Sequence, residues 1–221
     1  MCLLFGNEFE GETVLTGKNY AFCRLFSNCK LTSIDNFVLP ATTLADYCYQ
    51  YMFYNCTNLT TIPSNLLPAT TLVNNCYQYM FGYCESLTTS PELPATTLAN
   101  NCYNGMFRKC TSLTTAPELP ATTLANNCYY IMFDSCTSIT TAPELPATTL
   151  VDSCYGSMFR YCSSLNYIKA MFTTTPSNSY TNSWVYDVAS TGTFVKNLAA
   201  TWNVTGANGI PSGWTVQTAS S

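Results

Sequence analysis

The sequence predicts an α/β solenoid: a right-handed superhelix with a parallel β-sheet on one face, short helices on the other, and a C-terminal cap. The hexapeptide LPATTL begins at residues 39, 67, 93, 119 and 145, so the steps are 28, 26, 26 and 26 residues. A fixed period of about 20–50 residues is typical of solenoids, in which each unit buries its core against its neighbours. Only 9% of the residues are charged, against roughly 25% in ordinary globular proteins.

Each repeat contains a segment whose spacing predicts an amphipathic helix. In residues 102–110, a rotation of about 100° per residue places Cys102, Met106 and Cys110 on one side, with Tyr103 and Phe107 beside them. These inner residue types recur in the other full repeats, whereas the outer positions vary. A degenerate copy at 21–29 makes six helix-bearing coils in total.

The predicted inner face is built from four columns of identical residues. The columns are Cys48, Cys76, Cys102, Cys128 and Cys154; Met52, Met80, Met106, Met132 and Met158; Phe53, Phe81, Phe107, Phe133 and Phe159; and Cys56, Cys84, Cys110, Cys136 and Cys162. Two residues before the first cysteine column lies a residue suited to a helix N-cap. These residues are Asp46, Asn74, Asn100, Asn126 and Asp152.

The connection after each predicted helix reads as a short strand. Residues 113–120 are too few for a second helix, and their prolines oppose one. We expect this strand to pair in parallel with its copies, with an interruption at Pro117 because proline has no N–H to donate. The predicted order along the chain is an N-terminal cap segment at 1–19, the repeat solenoid at 20–172 and a C-terminal cap at 173–221. The cap contains Trp184, Trp202 and Trp214.

The repeat residues resemble the BspA-like, or Treponema pallidum-type, leucine-rich-repeat family. That family has a pattern close to A-F-x-x-C-x-x-L-x-x-I-x-L-P, and it is matched here by MFRKCTSLTTAPELP from Met106, with Met in place of Ala and Ala116 in place of Ile. The resemblance covers about residues 20–172. It implies a leucine-rich-repeat fold and a surface-exposed protein broadly linked to adhesion. The tail also resembles the ends of such proteins from gut bacteria and their phages.

Composition argues against several classes of function. The chain has no histidine, which removes the commonest general base and the commonest zinc ligand. Its 12 acidic residues form no obvious catalytic pair. The net charge of −4 makes nucleic acid an unexpected partner. We therefore predict a protein that is not an enzyme and that carries no cofactor and no metal.

Location is predicted from what the sequence contains and lacks. No apolar run reaches about 18 residues, so we expect no direct membrane insertion. The start, MCLLFGNEFE, does not read as a secretory signal. We nevertheless expect an extracellular or cell-surface protein, with this chain a fragment of a longer one. LPATT resembles a sorting signal but lacks its glycine and recurs internally, so it is interpreted as structural.

Of the 13 cysteines, the ten in the two columns are predicted to be buried, reduced and structural. The two cysteines of one predicted helix lie about 12 Å apart, which is too far for a disulfide. Neighbouring copies lie within reach, but no column offers the tetrahedral convergence of a metal site. Cys23 falls outside the columns, on the outer side beside Arg24, so we expect it to be the accessible and reactive thiol. The column of Glu92, Glu118 and Glu144 should face water because like charges repel.

The outer positions of the predicted helices carry the candidate binding residues. Tyrosine and arginine are the side chains that most often anchor recognition surfaces, although tyrosine can equally cover a neighbouring coil. The candidates are Tyr51, Tyr54, Tyr79, Tyr83, Arg108, Lys109, Tyr130, Arg160 and Tyr161. The predicted function is an adhesin-type binding module whose variable face recognises a protein or glycan ligand on a host or neighbouring cell. The alternatives are a structural spacer and the receptor-binding part of a phage tail fibre.

Overall fold

The computed structural model describes residues 11–219. In this range all regular secondary structure lies after residue 166, in the order β1 (Tyr167–Ala170), α1 (Asn178–Thr181), β2 (Thr193–Lys196) and β3 (Thr215–Thr218). The three strands form one parallel sheet in the order β1-β2-β3. Tyr167 pairs with Thr193, and Thr193 pairs with Thr215. Parallel strands therefore exist, but they are confined to the C-terminal quarter of the chain.

Upstream of β1, successive repeats are joined by isolated parallel bridges rather than by continuous strands. One bridge joins Thr71 to Thr97 and another joins Thr141 to Tyr167. Residues 113–120 form no strand, so the strand predicted there is wrong. The prolines at 117 and 120 explain this difference, because each removes an N–H that a ladder would need.

Ten-residue turn segments stand where helices were predicted. The turns span residues 19–28, 46–55, 74–83, 100–109, 126–135 and 152–161. Each turn segment is counted from its first residue of positive φ to the cysteine that follows the turn, which gives residues 20–29, 47–56, 75–84, 101–110, 127–136 and 153–162. The first, fifth and ninth residues of each have positive φ, as at Tyr47 (60°), Tyr51 (55°) and Asn55 (57°). A residue in this left-handed region cannot continue a right-handed helix. The prediction of six short helices is therefore wrong, and α1 is the one helix among the described residues.

Backbone hydrogen bonding accounts for the turn segments. In residues 47–56, alternate N–H groups bond within the repeat, as from Met52 to the carbonyl of Tyr49 at 3.2 Å. The others bond to the next repeat, as from Phe53 to the carbonyl of Met80 at 2.9 Å. Both sets of donors are thus satisfied, which a buried backbone requires. Half of the backbone N–H groups in this turn segment therefore join one repeat to the next.

The inner face follows the prediction although the backbone does not. The turn segments repeat every four residues, so the same columns point inward as in a helix of 3.6 residues per turn. Cys102, Met106, Phe107 and Cys110 are all fully buried, and their counterparts in the other full repeats are buried too. Phenylalanine rings of neighbouring repeats stack in parallel, with centroids 5.8 Å apart for Phe81 and Phe107. The core is therefore a set of stacked identical side chains.

The residues predicted to cap helices have another role. With no helix to cap, the Asp46 carboxylate accepts from the N–H of Asn74 at 3.0 Å, and the Asn100 side chain accepts from the N–H of Asn126 at 3.2 Å. Each bond joins the same position in two successive repeats. The polar residue at this position therefore links repeats rather than ending a helix.

The tail continues the spacing of the repeats. Its three tryptophans are buried, and each indole N–H donates to a backbone carbonyl about one repeat away: Trp184 to Gly209, Trp202 to Phe172 and Trp214 to Ala189. Trp184 also lies against the rings of Tyr155 and Phe159. These rings cover the end of the aromatic columns. Of the predicted N-terminal segment 1–19, residues 1–10 lie outside the described part of the chain.

Candidate binding face

The candidate residues lie together on the outer side of the turn segments. The fifth residue of a turn segment is Tyr51 in one repeat and Tyr79 in the next. The eighth position holds Tyr54, Arg108 and Arg160, and the ninth position holds Tyr83, Lys109 and Tyr161. Tyr130 is the fourth residue of its segment. Eight of the nine are half-buried, and Tyr161 is exposed. These side chains therefore lie on the outer side, where their rings are packed rather than freely displayed.

Four tyrosines form a continuous cluster across two repeats. The rings of Tyr51 and Tyr79 stack at a centroid distance of 5.1 Å. Tyr54 lies at 5.2 Å from Tyr51 and 5.2 Å from Tyr83. Tyr79 also covers Gly105, where a Cβ atom would lie 2.8 Å from its ring. Gly105 is therefore the residue that allows the Tyr79 ring to lie flat on the next repeat.

Cations flank this tyrosine cluster on both sides. The guanidinium of Arg24 lies over the Tyr51 ring at 4.4 Å from the centroid, and the ammonium of Lys109 lies over Tyr83 at 5.0 Å. Such cation–π contacts contribute about 0.5–1 kcal/mol at exposed sites. The sequence places Arg24 on the outer side, but Arg24 is not among the predicted binding residues.

A carboxylate inside the face organises the two arginines. Asp134 is almost fully buried and accepts from Nε of Arg108 and Nε of Arg160, each at 2.9 Å. A second bond from Nη2 of Arg160 measures 3.2 Å. The hydrogen bond to Asp134 raises the pKa of the Arg160 guanidinium above its usual value. The sequence predicts only that outer positions vary, but Asp134 occupies the same column as both arginines, and that shared column is the available signal.

The remaining candidates extend the face toward the C-terminal end. Tyr130 lies over Gly156, where a Cβ atom would come within 2.7 Å of the ring. Arg160 lies over the Tyr161 ring at 5.3 Å, and Tyr161 meets Tyr186 edge to face at 5.5 Å. The face therefore runs without a break from Arg24 to Tyr186, a tyrosine that the sequence reading left out.

Ring stacking limits what this face can bind. Both sides of the Tyr51 ring are occupied, by Tyr79 and by Arg24, and both sides of Tyr79 are occupied, by Tyr51 and by Gly105. Burial raises the pKa of the Tyr51 and Tyr79 hydroxyls, so both stay protonated at neutral pH. The face therefore offers ring edges, hydroxyl groups and cations, and it offers few open ring faces.

The cysteines are part of the core and lie away from this face. All twelve cysteines of the described range are free, as predicted. In the second column the thiols donate to a phenylalanine carbonyl of the preceding repeat, as from Cys136 to Phe107 at 3.0 Å. Burial raises the pKa of Cys102 to about 12, which makes it inert toward electrophiles. No group of cysteines and carboxylates in the described range could hold a metal ion.

Cys23 is more accessible than the column cysteines, as expected, but it is not activated. Its thiol is partly buried and lies 3.6 Å from the side-chain oxygen of Gln50. Burial raises its pKa, and this outweighs the opposite effect of Arg24. Arg24 therefore favours the thiolate, as expected, but the net shift of the pKa is upward, so the expectation of an activated thiol is wrong.

The acidic column lies on another side of the repeats. Glu92, Glu118 and Glu144 are all exposed, as predicted. Lys169 pairs with Glu144 at 2.9 Å. Glu92 and Glu118 lie beside a shallow, proline-lined groove of about 330 Å³. Within the described residues, Glu92 and Glu118 belong to no group of side chains that could hold a metal ion, so no cation site is assigned to this groove.

Comparisons with known proteins identify no relative of this chain. The chain matches no protein-family model, no curated protein and no solved structure at a significant level. Within the described residues no helix has the length and apolar character needed to cross a bilayer.

Proposed function

We propose that this protein is a non-enzymatic binding module of the leucine-rich-repeat, BspA-like type, in which stacked repeats form a right-handed solenoid. The observation that carries the proposal is the outer face from Arg24 to Tyr186, where tyrosines pack against one another and against arginine and lysine. Tyrosine and arginine are among the residue types that dominate binding energy in recognition surfaces. We place it on the cell surface, as an adhesin-type protein.

A protein ligand fits this face better than a glycan. Sugars bind aromatic side chains mainly through open ring faces, and the faces of Tyr51 and Tyr79 are covered. Hydroxyl donors and the ammonium of Lys109, which has no ion pair within residues 11–219, instead suit carboxylate and carbonyl acceptors. The proposed ligand is therefore a polypeptide surface carrying acidic side chains, on a host or neighbouring cell.

The second candidate is a structural spacer or part of a phage tail fibre. It is favoured by the same covered rings, because a tyrosine that packs on the next repeat already has a structural role. The two candidates differ at residues that contribute little to packing. Lys109 and Tyr83 contact each other and lie at the outer rim of the tyrosine cluster, so they can be changed without removing core contacts.

Binding to an array of host-surface proteins and glycans tests the proposal. The native chain should bind protein ligands, and Lys109→Ala and Tyr83→Ala should each weaken that binding at least tenfold, or about 1.4 kcal/mol. Glu118→Ala, an exposed change on another side of the repeats, is the matched control and should bind normally. If no ligand binds, or if both face variants bind as the native chain does, the spacer function is favoured.

A further inference from the structure

Two arginines, one from the repeat on either side of Asp134, meet at a single oxygen atom. Nε of Arg108 and Nη2 of Arg160 both donate to Oδ2 of Asp134, at 2.9 and 3.2 Å. Nε of Arg160 donates to the other oxygen, Oδ1, at 2.9 Å. The buried carboxylate therefore holds close together two guanidinium groups that would otherwise repel each other.

Positive charge is in excess at this part of the outer face. The ammonium of Lys109 and the guanidinium of Arg108 lie over the same Tyr83 ring, at 5.0 and 5.6 Å from its centroid. Three cations and one carboxylate are thus gathered here, which leaves an excess of two positive charges. Within residues 11–219, no carboxylate besides Asp134 pairs with any of these cations. The cluster is therefore complementary to an anion.

A small residue leaves a gap among these large side chains. The ninth positions of four successive turn segments hold Tyr83, Lys109, Ser135 and Tyr161. The backbone N–H of Ser135 donates to the carbonyl of Arg160 at 2.7 Å, so Ser135 lies directly beside that repeat. Its hydroxyl makes no hydrogen bond to any described residue. The Ser135 gap therefore lies between Lys109 on one side and Arg160 with Tyr161 on the other.

The N–H groups that remain free decide which anion fits this gap. A carboxylate pairs best with arginine through two parallel bonds from one guanidinium edge. In Arg160 the edge formed by Nε and Nη2 is already taken by Asp134. In Arg108, Nε is bonded to Asp134 and Nη1 to the Tyr79 hydroxyl at 3.5 Å.

The remaining donors belong to different side chains. They are Nη2 of Arg108, Nη1 of Arg160, the ammonium of Lys109 and the hydroxyl of Ser135. A planar carboxylate has two oxygens and reaches few of these donors at once. A sulfate or phosphate ester presents three acceptor oxygens in different directions, so it matches a dispersed set of donors better.

We propose that the Ser135 gap is a binding site for a tetrahedral oxyanion ester, a sulfate or phosphate group carried by the ligand of the outer face. Lys109, Ser135 and the free ends of the two arginines bind its terminal oxygens. Asp134 is a positioning residue, because it holds both guanidinium groups in place before the ligand arrives and so lowers the entropy cost of binding. The identity of the ligand rests on the proposed binding function, whereas the anion site is testable by itself.

Titration with three small aromatic anions tests the site without the host ligand. The probes are phenyl phosphate, phenyl sulfate and benzoate, which differ in the anionic group. Calorimetry on the full chain at low ionic strength measures their affinities, since salt screens contacts of this kind. At least one ester should bind at a single site, and at least tenfold more tightly than benzoate. The tighter of the two esters identifies the group as phosphate or sulfate.

Ser135→Tyr is the sharpest variant, because it fills the gap and leaves every charge in place. The backbone accepts tyrosine there, since Tyr83 and Tyr161 have φ of 64° and 62° against 65° for Ser135. Ester binding should fall at least tenfold in Ser135→Tyr and at least threefold in Lys109→Ala. Lys30→Ala is the charge-matched control, because Lys30 is exposed and has no ion pair in the described part of the chain. It should bind the esters as the native chain does.

The possible failures differ in meaning. Absence of ester binding, or benzoate binding of equal strength, overturns the oxyanion site, and so does unchanged binding by Ser135→Tyr. Equal losses in Lys30→Ala and Lys109→Ala also overturn it, because the effect is then one of overall charge. Host-protein binding without ester binding overturns this inference alone. Ester binding by a chain that captures no host protein overturns the proposed function alone.

Discussion

The buried carboxylate of Asp134 provides the most direct test of how the outer face is held together. Asp134→Asn keeps the volume of the side chain but removes its charge and replaces one acceptor oxygen with an amide donor. Three hydrogen bonds from Arg108 and Arg160 end on this carboxylate. Hydrogen bonds to charged groups contribute about 1.5–3 kcal/mol each, and both arginines are partly exposed, so water replaces part of the loss.

We therefore expect Asp134→Asn to lower the free energy of unfolding by about 2–4 kcal/mol. Urea denaturation followed by tyrosine and tryptophan fluorescence measures this change. Glu118→Gln is the matched control, because Glu118 is exposed and has no ion pair within the described range. Combining Asp134→Asn with Arg160→Gln should cost less than the sum of the two single changes, since they remove the same bonds. A loss below about 1 kcal/mol, or strict additivity, would refute the role assigned to this carboxylate.

Three further predictions concern the core and its edges. Cys102→Ser should lower the free energy of unfolding by about 1–3 kcal/mol, because it buries a hydroxyl in an apolar column; an unchanged urea midpoint would contradict the inward assignment. Gly105→Ala should lower the free energy of unfolding by about 2 kcal/mol, since φ is +61° and the new methyl would meet the Tyr79 ring. Gly11→Ala, which has open space around it, is the control and should leave the free energy of unfolding unchanged. Brief alkylation with mass mapping should label Cys23 before any column cysteine, and faster at higher pH because its raised pKa leaves little thiolate at neutral pH; earlier labelling of Cys102 would show that the first segment has been placed wrongly.

The inward side chains could be predicted from the sequence, whereas the backbone that carries them could not. Residues at the second, sixth and tenth positions of a turn segment, such as Cys102, Met106 and Cys110, share a side whether the local period is 3.6 or four. The signal that separates the two is the residue in the left-handed region. Asn101 and Gly105 fit that region well, but Lys109 and Ile131 also adopt it, and neither residue type indicates it.

The residues of the candidate face could be predicted from the sequence, but the contacts that join them could not. Tyrosine and arginine at outer positions can be read from the sequence, but the contacts between Arg108 and Asp134 join residues 26 positions apart. That distance equals one repeat, so alignment of the repeats places them in one column. What alignment cannot give is burial: Asp134 is enclosed by two arginines only because repeats are stacked at close range.

The division of hydrogen bonds explains how an outer face can vary on a constant core. Because each turn segment uses its backbone to join its neighbours, the repeats stay joined whichever side chains stand at the outer positions, and contacts such as the Asp134 ion pairs add to this. Outer changes therefore act on adjacent repeats only, as with Tyr79 over Gly105 or Tyr130 over Gly156. The rings of Tyr79 and Tyr130 are each matched by a glycine on the next repeat, whereas Tyr51 stacks on a second tyrosine. The outer face of such a stack therefore changes through neighbouring pairs of residues, so a new tyrosine at an outer position should require a small residue or a second aromatic ring one repeat later.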